Sequence, residues 1–182
     1  MTNKLHSALI LALGLGTASL ANAGFIGQTV SGAHLGPTIN DVGVGPFSAL
    51  VGAAVEFPSN FGPYSVDVSD TNLLLTFLTT TSANPMTFNG FRLSDVNSSI
   101  DAITGVTIAS NQWAGFDISR LSFDANNIWV NMQSLSFVDG QALSLDVTFA
   151  TTQQPPNPTP EPATLALLGL GLFGLGAMRR KV

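Results

Sequence analysis

Between residues 24 and 150 apolar side chains recur at every second position, and no helical 3.6-residue stripe appears, so this stretch is confined to strands. In 141–149, Leu143, Leu145, Val147 and Phe149 alternate with Ser144, Asp146 and Thr148. The same alternation runs through Val51, Ala53, Val55 and Phe57, through Tyr64, Val66 and Val68, and through Leu135 and Phe137. Each reads as a strand with one buried face. Residues 72–80, NLLLTFLTT, are apolar on both faces and fit a central strand. Asp139-Gly140 has the chemistry of a hairpin turn. Asn89-Gly90 fits either a turn or a bulge within one strand. Eight to ten short strands with closely spaced turns predict an antiparallel β-sandwich or a jelly-roll-like body over 24–150.

Charge narrows what such a body does. Arg92 and Arg120 are its two cations, it has no lysine, and ten carboxylates oppose them. That surface repels phosphate backbones and offers no basic stripe, so no nucleic acid is expected as a partner. The chain has no cysteine, which excludes disulfides, thiolate nucleophiles and cysteine metal sites. Without lysine the body has no Schiff-base chemistry.

Both termini depart from this pattern. At the start, Lys4 precedes an apolar run from 7 to 20, followed by Ala21-Asn22-Ala23 before Gly24. That is the layout of a signal peptide spanning 1–23, with Ala21 and Ala23 setting the cleavage site before Gly24. At the end, the proline-rich stretch 151–159 reads as a linker. Beyond it, 163–178 is uncharged over sixteen residues and is closed by Arg179, Arg180 and Lys181. As a helix it is about 24 Å long, against a hydrocarbon core of ~30 Å. The basic residues snorkel to cover the shortfall and, by the positive-inside rule, stay cytoplasmic. Export of the body and a cytoplasmic C-terminal stop are thus one topology. Gly169, Gly171 and Gly174 match a dinucleotide-binding pattern by chance, since no strand precedes them.

Pro160-Glu161-Pro162, an apolar helix and a terminal basic cluster, in that order, resemble the PEP-CTERM sorting signal. The resemblance covers 160–182. It implies export, transient anchoring in the inner membrane by a single transmembrane helix, and processing by exosortase. It assigns recognition to Pro160, Glu161 and Pro162, and the cytoplasmic stop to Arg179, Arg180 and Lys181. Physics suits the tripeptide to that role. Two prolines hold it extended and outside the following helix, as a protease cleft requires. The family's link to exopolysaccharide-producing bacteria implies an extracellular-matrix setting.

Catalytic chemistry is thinly represented in the body. His34, in SGAHLGP, reads as a solvated loop histidine, and no G-x-S-x-G elbow accompanies it. Glu56 is the body's single glutamate, and the aspartates are scattered through turns. Asp67 with Asp70, Asp95 with Asn97, and Asp124 with Asn126 offer hard oxygens, but none matches an ordered calcium loop. The expectation is therefore a non-enzymatic surface or matrix protein with no catalytic residue, metal or cofactor. The alternatives are a carbohydrate-binding module using Trp113, Trp129 or Tyr64 as a stacking platform, and a hydrolase built on His34.

Overall fold

The computed structural model describes residues 24–150. The expected signal peptide at 1–23, the expected linker at 151–159 and the tail at 160–182, with its expected membrane helix at 163–178, lie outside the described residues. Among the described residues no helix is long and apolar enough to cross a membrane.

The two-residue alternation becomes eleven strands: β1 (Thr29–Leu35), β2 (Val42–Leu50), β3 (Tyr64–Val68), β4 (Asn72–Phe77), β5 (Thr81–Ser82), β6 (Gly90–Asp95), β7 (Ile103–Asn111), β8 (Leu121–Phe123), β9 (Asn127–Asn131), β10 (Ser136–Phe137) and β11 (Ala142–Phe149). One five-stranded sheet has the order β2-β1-β6-β9-β8, a second has β3-β4-β11-β7, and β10 with β5 forms a small ribbon. All pairings are antiparallel. Leu75 lies opposite both Val66 and Leu143, and Leu73 opposite Val68 and Leu145, so one face of the second sheet is a continuous apolar surface. Phe91 lies opposite Val130, and Leu93 opposite Ile128, on the first sheet. These two faces belong to one core cluster, the arrangement of a sandwich.

Aromatic rings fill the space between the sheets. Phe61 stacks on Tyr64 at 5.5 Å and meets Phe91 edge-on at 5.3 Å. Phe77 stacks on Phe137 at 3.7 Å, and Trp113 packs edge-on against both, at 5.2 and 5.1 Å. Each fully buried ring of this kind contributes about 1.5–3 kcal/mol, which is how a chain without disulfides holds two sheets together.

Several expectations are corrected. Residues 51–56 form a bent loop and not a strand. Val51 and Phe57 are buried, but Val55 is exposed, and Phe57 makes a single bridge to Val66. The loop is pinned by Glu56, whose carboxylate accepts from the N–H groups of Gly52 (3.0 Å) and Val68 (2.7 Å). Asp139-Gly140 does turn the chain, with Gly140 at φ 80°, but makes no hairpin. Its flanking strands pair elsewhere, β10 with β5 and β11 with β4 and β7. Asn89-Gly90 opens β6 and is not a hairpin turn. His34 sits in β1 and not in a loop.

Gly90 marks the tightest approach. A Cβ there would fall 1.9 Å from the Val130 carbonyl oxygen on β9, which is backbone and cannot rotate away. Gly90→Ala should therefore lower unfolding free energy by about 2–3 kcal/mol in urea titration. Gly52→Ala, where a Cβ would meet nothing within 4 Å, should stay within about 0.5 kcal/mol of the parent.

Candidate functional site

His34 reaches across the sandwich. From β1 its Nδ1 stands 2.8 Å from the hydroxyl of Tyr64 on β3, and its Nε2 stands 3.0 Å from Oδ1 of Asn89. An amide oxygen only accepts, so Nε2 carries the proton and Nδ1 accepts from the tyrosine O–H. The amide of Asn89 is oriented in turn by donating from Nδ2 to the Asn84 carbonyl at 3.1 Å. A one-way chain of hydrogen bonds results, from Tyr64 through His34 and Asn89 to Asn84.

Burial sets the charge state of this chain. It pulls the His34 imidazole below its ordinary range, against the opposing effect of the Asn89 hydrogen bond. It also pushes the Tyr64 phenol well above its ordinary value. The constellation is neutral at pH 7. Both ring nitrogens of His34 are held by uncharged partners, so the serine and carboxylate contacts of a hydrolytic triad are not made there.

Beside the network lies a half-open cleft of about 140 Å³. Pro63, Phe77, Met132 and Phe137 form its apolar wall; His34, Thr81, Ser82, Asn84 and Asn89 form the polar one. Among the described residues no ionic side chain lines it. Its volume is close to the ~150 Å³ of an apolar protein cavity that accepts benzene, so it has room for a single small ring.

The sugar-stacking platform of the alternative reading is not assembled. Trp113 is 2% exposed and belongs to the core, as does Tyr64 at 1%. Trp129 lies on the outer face of the five-stranded sheet, opposite Arg92 and Ser122, packed on the small cluster of Ala33, Leu35 and Phe88. Among the described residues its indole N–H and the Arg92 Nε are buried without a hydrogen-bond partner.

Two of the three acidic pairs are engaged in turns, while Asp67 of the third stands on β3. Asp95 accepts from the N–H groups of Asn97 and Ile100, each at 3.1 Å. Asp124 accepts from the Asn126 N–H at 2.8 Å and the Asn127 amide at 2.9 Å. Among the described residues no three potential metal ligands cluster. Arg120 is spent likewise, donating to the Gln133 carbonyl at 2.9 Å.

Fold and cleft together define an all-β antiparallel body whose cleft beside His34 is lined, among the described residues, by uncharged groups. Family comparison adds the address: the PEP-CTERM protein-sorting motif matches residues 158–181, a span that includes Pro160, Glu161, Pro162, Arg179, Arg180 and Lys181. The chain carries the PEP-CTERM sorting signal, which marks an exported protein that transits the membrane and is processed by exosortase. Comparison with curated proteins gives no match, and comparison with solved structures gives none. The remaining site residues, Ala21 and Ala23, lie outside the described residues; Gly24 is within them and buried.

Sequence reading missed the Tyr64–His34–Asn89 constellation because its members are 30 and 55 positions apart. No local motif marks it.

The buried histidine makes stability depend on pH. Unfolded, His34 gains a proton near pH 6.5; folded, it does so only at lower pH. Between those values the unfolded state holds more protons, so stability falls as pH drops through 6.5. Urea midpoints should decline from pH 7 to pH 5, and His34→Gln should flatten that decline; an unchanged slope contradicts the assignment. Tyr64→Phe, which leaves Nδ1 without its donor, should cost about 1–2 kcal/mol at pH 7.

Proposed function

We propose that this protein is a non-enzymatic component of the bacterial cell surface or extracellular matrix. The signal peptide at 1–23 exports it, and the helix at 163–178 parks it in the inner membrane. Exosortase then recognises Pro160-Glu161-Pro162 and removes the tail, while Arg179, Arg180 and Lys181 keep the C-terminus cytoplasmic until that cut. The observation that carries this reading is the match of the sorting motif to residues 158–181. A lysine-free acidic body that stays soluble outside the cell accords with it. So does the engagement of His34, Asp95 and Asp124 in fixed hydrogen bonds instead of an open catalytic arrangement.

A binding-module reading has its own support in the cleft beside His34. The absence of ionic groups from its lining selects an uncharged ligand, and the polar and apolar walls suit one hydroxylated ring, such as a neutral residue of an exopolysaccharide. Trp113, packed on the wall residue Phe137, is a reporter for occupancy. Titration with a neutral polysaccharide should give a saturable change in tryptophan emission that Ser82→Phe abolishes; a signal unaffected by that substitution removes the cleft from consideration.

Replacing Pro160, Glu161 and Pro162 together by alanine tests the sorting reading. In an exosortase-bearing host the parent chain should be trimmed and leave the membrane fraction, and the variant should accumulate there at tail-bearing size. Equal trimming and release of both would refute it.

A further inference from the structure

We propose that Asp70 is the binding site for the amino terminus created when the signal peptide is cut after Ala23, and that this cut precedes the last step of folding. The proposal rests on the export reading above and adds what happens to the new terminus. Gly24, the first residue after the cut, is buried, and Phe25 beside it is 1% exposed. The Phe25 ring meets Phe149 edge-on at 5.0 Å, at the end of the last strand of the body. Its N–H donates to the Asp70 carbonyl at 2.9 Å. The first two residues of the mature chain are thus built into the core and tied to the β3–β4 turn.

The side chain of Asp70 lies directly on Gly24. A Cβ at Gly24 would fall 2.0 Å from Asp70 Oδ1 and 2.7 Å from the Asp70 backbone oxygen, so glycine fits there and a larger residue displaces its neighbour. A backbone nitrogen is about 2.5 Å from its own Cβ position, which places the Gly24 nitrogen within roughly 4.5 Å of that carboxylate oxygen. Before cleavage this nitrogen is a neutral amide. Afterwards it is an ammonium beside the Asp70 carboxylate, which supplies the opposite charge.

Order of events follows from the same contacts. A protease takes its substrate as an extended segment on both sides of the scissile bond. With Phe25 in the core that segment is inaccessible without local unfolding, so cleavage comes first and docking of Gly24 and Phe25 follows.

The chain offers a clean readout. Residues 24–150 contain no lysine, so the α-amine of Gly24 is the body's one primary amine after cleavage, and Lys181 is separable by peptide mass. The exported protein is sequenced at its amino terminus and then acylated with an N-hydroxysuccinimide ester near neutral pH. Asp70→Asn should be labelled at Gly24 roughly threefold faster than the parent, because a paired ammonium gives up its proton less readily. Asp139→Asn, remote in its turn, should match the parent. Gly24→Ala, which pushes the carboxylate aside, should be accelerated like Asp70→Asn and carries the test if that variant does not fold. Equal rates in the parent and in a folded Asp70→Asn or Gly24→Ala overturn the pairing while leaving export intact. An exported protein beginning elsewhere than Gly24 overturns the cleavage assignment itself, and the docking with it.

Discussion

The seam of aromatic rings between the two sheets is the interaction on which the rest of this body depends. With no disulfide available, the sheets are joined by Phe57, Phe61, Tyr64, Phe77, Phe91, Trp113 and Phe137, all within one cluster. Tyr64 belongs both to this seam and to the polar network. Its ring packs on Phe61 and Phe77, while its hydroxyl holds His34. The cleft has the same double dependence, because Phe77 and Phe137 are at once core residues and its wall. Packing therefore fixes the position of every polar group that the body presents there.

Much of this was legible where one buried face imposes a period of two. Leu143, Leu145, Val147 and Phe149 are buried in β11, with Asp146 and Thr148 exposed between them. Tyr64, Val66 and Val68 behave alike in β3, and the more apolar β4 lies between β3 and β11 as its composition implied. The rule misled at 51–57, because small residues alternate there without burial and Glu56 ties the segment into a loop. It also gave no sign of β2, whose residues VGVGPFSAL are mostly exposed on the edge of the five-stranded sheet. An edge strand need not alternate, and the register shift opposite Gly32 and His34 breaks its pattern further. The site was less legible than the fold. His34 has glycines nearby in sequence, which favoured a loop, whereas its partners come from β3 and from the residue before β6 and become neighbours only when the sheets close.

The sorting motif and the proposed binding cleft are signals of different kinds. A sorting tail is read linearly by another protein, so its order of tripeptide, apolar run and basic end is visible without a structure. A binding cleft is made by tertiary closure and is visible only with one. None of the described residues that line the cleft is ionic; Arg92, Asp67, Asp95 and Asp146 stand on strands, and most of the other charged residues lie in loops and turns. This division of labour suits the proposed function, in which the destination is encoded in a removable segment and the folded part acts outside the cell.

Intact mass of the protein recovered from its native cells, compared with that from cells lacking exosortase, tests the central claim most directly. The account predicts a shortened chain without the basic terminus in the first case, and in the second a membrane-bound chain that retains Arg179, Arg180 and Lys181. A single identical mass from both strains would contradict it.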